Sequence, residues 1–170
     1  MKSLDVANYF IANYGDKEEL TNLKLNKLVY FAQALHLKRF GSPLFDDEIQ
    51  AWDYGPVEPL VYRTFRTFGS ARIFRASGDF QTSEQLASVA KDVMGSFGRL
   101  TAFDLVRRTH RKGSAWDSAY VAHENNAITN QMILDSKDWQ TDGILSNTLA
   151  EGIERVNRSW PNALRMLENS

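Results

Sequence analysis

The chain has 170 residues, is 43% hydrophobic and 24% charged, and carries a formal net charge of −1, which fits one globular domain with room for a substantial core. It contains no cysteine, so disulfides, thiolate nucleophiles and Cys-ligated zinc are excluded. The small net charge conceals an asymmetry: residues 1–56 carry −2, residues 57–112 carry +5 and residues 113–170 carry −4, so the basic middle either meets an acidic partner or is neutralised by its own ends.

The first residues lack a basic region followed by an apolar run, so no signal peptide is expected. No stretch approaches the ~20 apolar residues of a membrane helix. Together with the missing cysteines, this predicts a cytoplasmic protein with no membrane partner. Ser3 is placed to cap a first helix carrying Val6, Tyr9, Phe10 and Tyr14 on one stripe, ended by Gly15 and Asp16. Thr21 or Asn22 caps the second helix, in which Leu25, Leu28, Val29, Ala32, Leu35 and His36 recur at helical spacing. Lys38 and Arg39 complement its C-terminal dipole, Gly41 suits the position after it, and Pro43 prevents continuation. Leu23, Tyr30, Phe31 and Leu37 widen its apolar face beyond half the circumference, so this helix is either central or keeps part of its face for a partner.

Residues 48–53 alternate in polarity and predict a short strand, with residues 71–76 as its partner strand. Tyr54-Gly55-Pro56 reads as a turn, and Pro59 opens a helix that stops at Gly69. Thr82 and Gln85 have capping-box spacing for a helix running to about Phe97. Thr101 and Asp104 cap another through about His110, Gly113 and Ser114 break it, and short helices are expected over 115–121 and 128–134. Beyond Ser136 the composition shifts, and Thr141 or Asp142 starts a helix with Leu145, Leu149, Ile153, Val156 and Trp160 on one stripe.

The residues that carry chemistry are sparse. His36, His110 and His123 are not spaced as a metal set, and no HExxH occurs. His36 lies on the apolar stripe and reads as a satisfied core histidine. No GxSxG, GxGxxG or GxxxxGK[ST] is present. Arg107, Arg108, His110, Arg111 and Lys112 form a basic run that either contacts phosphates or solvates a helix end. The stretch from Leu20 to Phe68 holds aromatic groups instead, and Trp52 and Tyr54 are of the type favoured at protein interfaces. Those two residues either staple the strand to the second helix or meet a partner.

An ordered set of residues in that stretch carries a resemblance. It comprises Leu20-Thr21-Asn22-Leu23-Lys24-Leu25, Lys27-Leu28-Val29-Tyr30-Phe31-Ala32, Gly41-Ser42-Pro43-Leu44-Phe45, Ile49-Gln50-Ala51-Trp52, Tyr54-Gly55-Pro56-Val57 and Val61-Tyr62. It closely resembles the hallmark region of the Panacea domain, the SocA/GepA-like antitoxin family, over roughly residues 4–134. Where the family tends to show a Pro-Trp pair, this chain has Ala115-Trp116. The resemblance implies a mostly helical (α+β) fold: a compact multi-helix domain with a small two- or three-stranded antiparallel sheet. It implies a phage-associated or mobile-element antitoxin that neutralises a cognate toxin protein by direct binding, and the sparse chemistry above adds the expectation of no enzymatic activity, metal or cofactor. Its alternative is an adaptor that delivers a toxin to an ATP-dependent protease; nucleic-acid binding ranks below both. The expected partition is a Panacea-like domain over 1–135 and a C-terminal helical extension over 136–170 packed on it. Lys24, Lys27, Tyr30, Trp52, Tyr54, Arg63 and Arg66 are the expected partner contacts. Gly41, Pro43, Gly55 and Pro56 are expected to shape the chain.

Overall fold

A computed structural model describes residues 1–139 of the chain. The described elements run α1 (Ser3–Tyr14), α2 (Asn22–Phe40), β1 (Ile49–Trp52), β2 (Gly55–Val57), α3 (Pro59–Phe65), a 3-10 turn (Arg66–Phe68), α4 (Glu84–Phe97), α5 (Ala102–Thr109), α6 (Ala115–Ala119), β3 (Ala127–Ile128) and α7 (Asn130–Asp135). This is the expected mostly helical α+β class with a small antiparallel sheet. The helix expected from residue 141 or 142 onward lies outside the described residues.

Helix α2 is the axis of the fold. Every residue from Lys24 to Leu37 is buried, because α1, α3, α4, α5, α7 and β2 all pack around it. Leu25, Leu28, Val29, Phe31 and Ala32 are fully buried there, together with Phe10 of α1, Phe65 of α3 and Val89 and Val93 of α4. Of the two readings left open by its wide apolar face, the central helix is therefore the correct one. Thr21 caps its start by accepting from the Lys24 N–H at 3.2 Å, and Gly41 ends it in the left-handed region at φ 70°, donating its N–H to the Leu37 carbonyl. Gln33 reaches out of the helix to hold the following loop. Its carbonyl accepts from the Leu44 N–H at 2.8 Å and its amide donates to the Phe45 carbonyl at 3.0 Å. His36 is buried; its Nδ1 donates to the Ser42 carbonyl at 2.7 Å.

The sheet has the order β2-β1-β3, all antiparallel, with Ala51 opposite Pro56 and Ile49 opposite Ile128. This corrects the expected pairing. The strand beside β1 is not 71–76 but β2 on one edge and β3 on the other. Asp53 and Tyr54 form a two-residue hairpin turn instead of a turn centred on 54–56. Residues 71–76 are irregular chain tied to the loop between α1 and α2, with the Ile73 N–H donating to the Leu20 carbonyl at 2.8 Å. Capping differs at two helices. Ser3 lies inside α1, where Lys2 is the cap and its N–H donates to Asp5 at 2.8 Å. Ser83, not Thr82, caps α4 by accepting from the Leu86 N–H.

After α7 the chain turns back into the core. Asp138 is buried, and its carboxylate accepts from the Tyr30 hydroxyl and, at 2.9 Å, from the Ala115 N–H. Trp139 stands edge-on to Phe97 at 5.2 Å and to Phe31 at 6.4 Å. Residues 136–139 thus pack on the domain that precedes them. Substituting Asp138→Ala strands two buried donors and is expected to destabilise the fold by about 3 kcal/mol. Urea unfolding followed by circular dichroism measures this, and a midpoint equal to that of the unmodified protein would contradict it.

Candidate functional site

A cleft of about 460 Å³ opens between the β1–β2 hairpin, the N-terminal turn of α2, the α3 segment and the loop before β3. Trp52, Tyr54 and Tyr62 wall it, Asn22, Leu23 and Asn26 form its α2 side, and Arg66 stands on its rim. Trp52 meets Tyr62 edge-on at 5.0 Å. The indole N–H of Trp52 donates to Gln50 at 2.9 Å, which fixes the ring at the cleft wall. Tyr54 is half-buried, and desolvation followed by the Asp53 charge raises its phenol pKa above 10.0.

The α2 side is held by amide bonds. The Asn26 amide donates to the Asn22 carbonyl and side-chain oxygens, both at 3.0 Å, and Asn22 donates to the Tyr62 carbonyl at 3.1 Å. The Asn26 oxygen accepts from the Glu58 N–H at 3.2 Å. Glu58 in turn caps α3, accepting from the N–H groups of Leu60 at 3.1 Å and Val61 at 2.7 Å. One polar chain therefore links the start of α2 to the start of α3 and sets the cleft's width.

The hairpin is held from its other side by an aromatic stack. His110 lies flat on Trp116, centroids 3.7 Å apart at 7°, and Trp116 stacks on Tyr120 at 4.3 Å. Trp116 donates its indole N–H to the Trp52 carbonyl at 2.7 Å, and the Tyr120 hydroxyl donates to Asp53 at 2.8 Å. Beneath the hairpin, Lys27 is fully buried and donates to the Pro56 carbonyl at 2.9 Å. Burial lowers its pKa to about 7. Burial and then the Lys27 charge lower the His110 pKa to about 3.

The expected contact residues divide accordingly. Trp52, Tyr54 and Arg66 line the cleft, and Arg63 is exposed one helical turn before Arg66. Lys24, Lys27 and Tyr30 are instead buried within the fold. Lys24 donates to the Gly98 carbonyl at 2.5 Å, Lys27 to Pro56, and Tyr30 to Asp138. The basic run near residue 110 does not form one face either. Arg107 is paired with Asp104 at 2.5 Å, and Arg108 is buried over the Phe97 ring. Only Arg111 and Lys112 of that run are exposed. Asn22, Asn26, Tyr62, His123 and Asn125 are cleft residues that the sequence did not mark as such. The signal for the first two was a pair of amides four residues apart at the start of α2.

Comparison with known proteins then decides the family. The family model for "Antitoxin SocA-like, Panacea domain" matches residues 25–117. The chain belongs to that family. Those residues include the hairpin, α3 and Trp116, so the cleft is built mostly from the Panacea domain itself. The chain is also similar to Antitoxin SocA of Caulobacter vibrioides (strain NA1000 / CB15N), with 34% identity over 110 residues. That alignment covers 58% of this chain and 58% of the relative. No solved structure matches. Among the described residues of this Panacea domain there is no group of three His, Cys, Asp or Glu that could hold a metal ion. None of the described helices is long and apolar enough to cross a membrane.

Proposed function

We propose that this chain is a cytoplasmic, non-enzymatic antitoxin that neutralises a toxin protein by direct contact, with the cleft as its docking site. One observation carries the reading. Trp52, Tyr54 and Tyr62, drawn from the family's hallmark stretch, converge on one cleft with a cationic rim. Half-buried aromatics beside an arginine are the groups that dominate protein interfaces. The family membership supports the antitoxin class.

The test uses co-expression with the product of a neighbouring reading frame that is toxic alone. Trp52→Ala is expected to weaken toxin binding about 30-fold or more and to abolish growth rescue. The variant should keep the helical circular dichroism of the unmodified protein, since Trp52 is only half-buried. Rescue by Trp52→Ala and Arg66→Glu equal to wild type would sink the reading. A toxin half-life that is unchanged by the antitoxin separates direct neutralisation from delivery to an ATP-dependent protease.

A further inference from the structure

We infer that the cleft receives an extended protein segment in which an aspartate or glutamate side chain neighbours an apolar or aromatic one. This rests on the cleft being the docking site proposed above. The volume of about 460 Å³ suits a few residues of chain and lies in the range of specific ligand sites. Its aromatic walls supply apolar contact. The Asn22 and Asn26 amides are already bonded within the protein, so they are not what reads the occupant's charge.

The rim decides the charge. Arg66 lines the cleft, and Arg63 is exposed one helical turn before it. Neither enters an ion pair among the described residues, although Arg72 and Arg107 in the same basic third do. The cleft's own carboxylate, Asp53, accepts from the Tyr120 hydroxyl at 2.8 Å and is thereby tied to the stack behind the hairpin. An incoming carboxylate therefore meets, in Arg66, a guanidinium with no ion pair among the described residues. The fourth side of the cleft is the loop before β3. There His123 and Asn125 both adopt positive φ, 67° and 48°, the left-handed region that His and Asn enter more readily than other non-glycine residues.

The experiment is selection from a phage library of random short peptides inserted between two flanking domains, so that no peptide carries a free terminus. The unmodified protein is expected to enrich Asp or Glu beside an aromatic or aliphatic residue by about tenfold, the factor a hydrogen bond to a charged group supplies. Arg66→Gln should lose that enrichment, and Arg66→Glu should replace it with Lys or Arg. An unmodified protein that shows no acidic preference would overturn the inference, as would Arg66→Glu selecting the same peptides. If acidic preference is missing while Trp52→Ala still loses toxin rescue, the docking site stands and only its occupant's chemistry is wrong.

Discussion

Gly55→Ala is expected to destabilise the protein by about 4 kcal/mol. Gly55 follows the Asp53–Tyr54 turn with φ 101°, a position that hairpins give to glycine because a side chain there meets its own backbone. The second cause is space. A Cβ at Gly55 would lie 2.6 Å from the Thr109 hydroxyl and 2.8 Å from Lys27 Cε, neither of which can move freely. Thr109 is buried and donates to the Val106 carbonyl at 2.9 Å, and Lys27 is fully buried beneath the hairpin. Relief of the clash would displace Trp52 and Tyr54, so toxin rescue should fail along with stability. Gly41→Ala is the control. It shares the positive φ but meets nothing within 4 Å, so it should lose only about 1 kcal/mol. Guanidinium unfolding of both variants measures the difference, and equal losses would remove the steric argument.

Stability is expected to fall continuously as pH drops from about 9 to about 4, through the fully buried Lys27 and the half-buried His110. Lys27 binds its proton at about 7 in the folded protein and at 10.5 when unfolded. The unfolded chain therefore holds the extra proton between those values, and stability is lost as pH falls through that window. The slope there approaches 1.4 kcal/mol per pH unit. His110 binds at about 3 when folded and 6.5 when unfolded, so it continues the loss below pH 6.5, by about 2 kcal/mol at pH 5. The physical cause is shared: both groups lie under the hairpin, and the Lys27 charge adds to the desolvation of His110. Thermal melting across pH tests this. Lys27→Met should flatten the profile between pH 7 and 9, and His110→Phe, which keeps a ring against Trp116, should flatten it between pH 4 and 6. Profiles parallel to that of the unmodified protein would contradict the assignment. Lys27→Glu is expected to destabilise the fold, since it would bury a carboxylate against the Pro56 carbonyl.

Much of the helical framework was legible because its signals are local. Thr21, Gly41, Thr101 and Pro59 sit where cap geometry requires them, and each helix they bound appears. The sheet was less legible. β2 has three residues and β3 has two, too few for polarity alternation to register, and the pairing of 49 with 128 spans a separation that no local pattern encodes. The cleft was half legible. Trp52 and Tyr54 stood out by type and by family motif and Arg66 by its nearness to them in the chain, while His123 and Asn125 arrive from a distant loop with no motif of their own.

The sequence by itself determined the presence and rough position of the helices, the aromatic hallmark and the family, since these depend on residue type and on neighbours a few positions apart. Only the tertiary structure decided which polar groups face outward. A lysine or tyrosine on α2 reads as surface by composition. Yet helices packed on every side of α2 place Lys24, Lys27 and Tyr30 in the interior, each bonded to a partner at least 29 residues away. Burial depends on what the rest of the chain brings to a helix, and that information is not local to the helix.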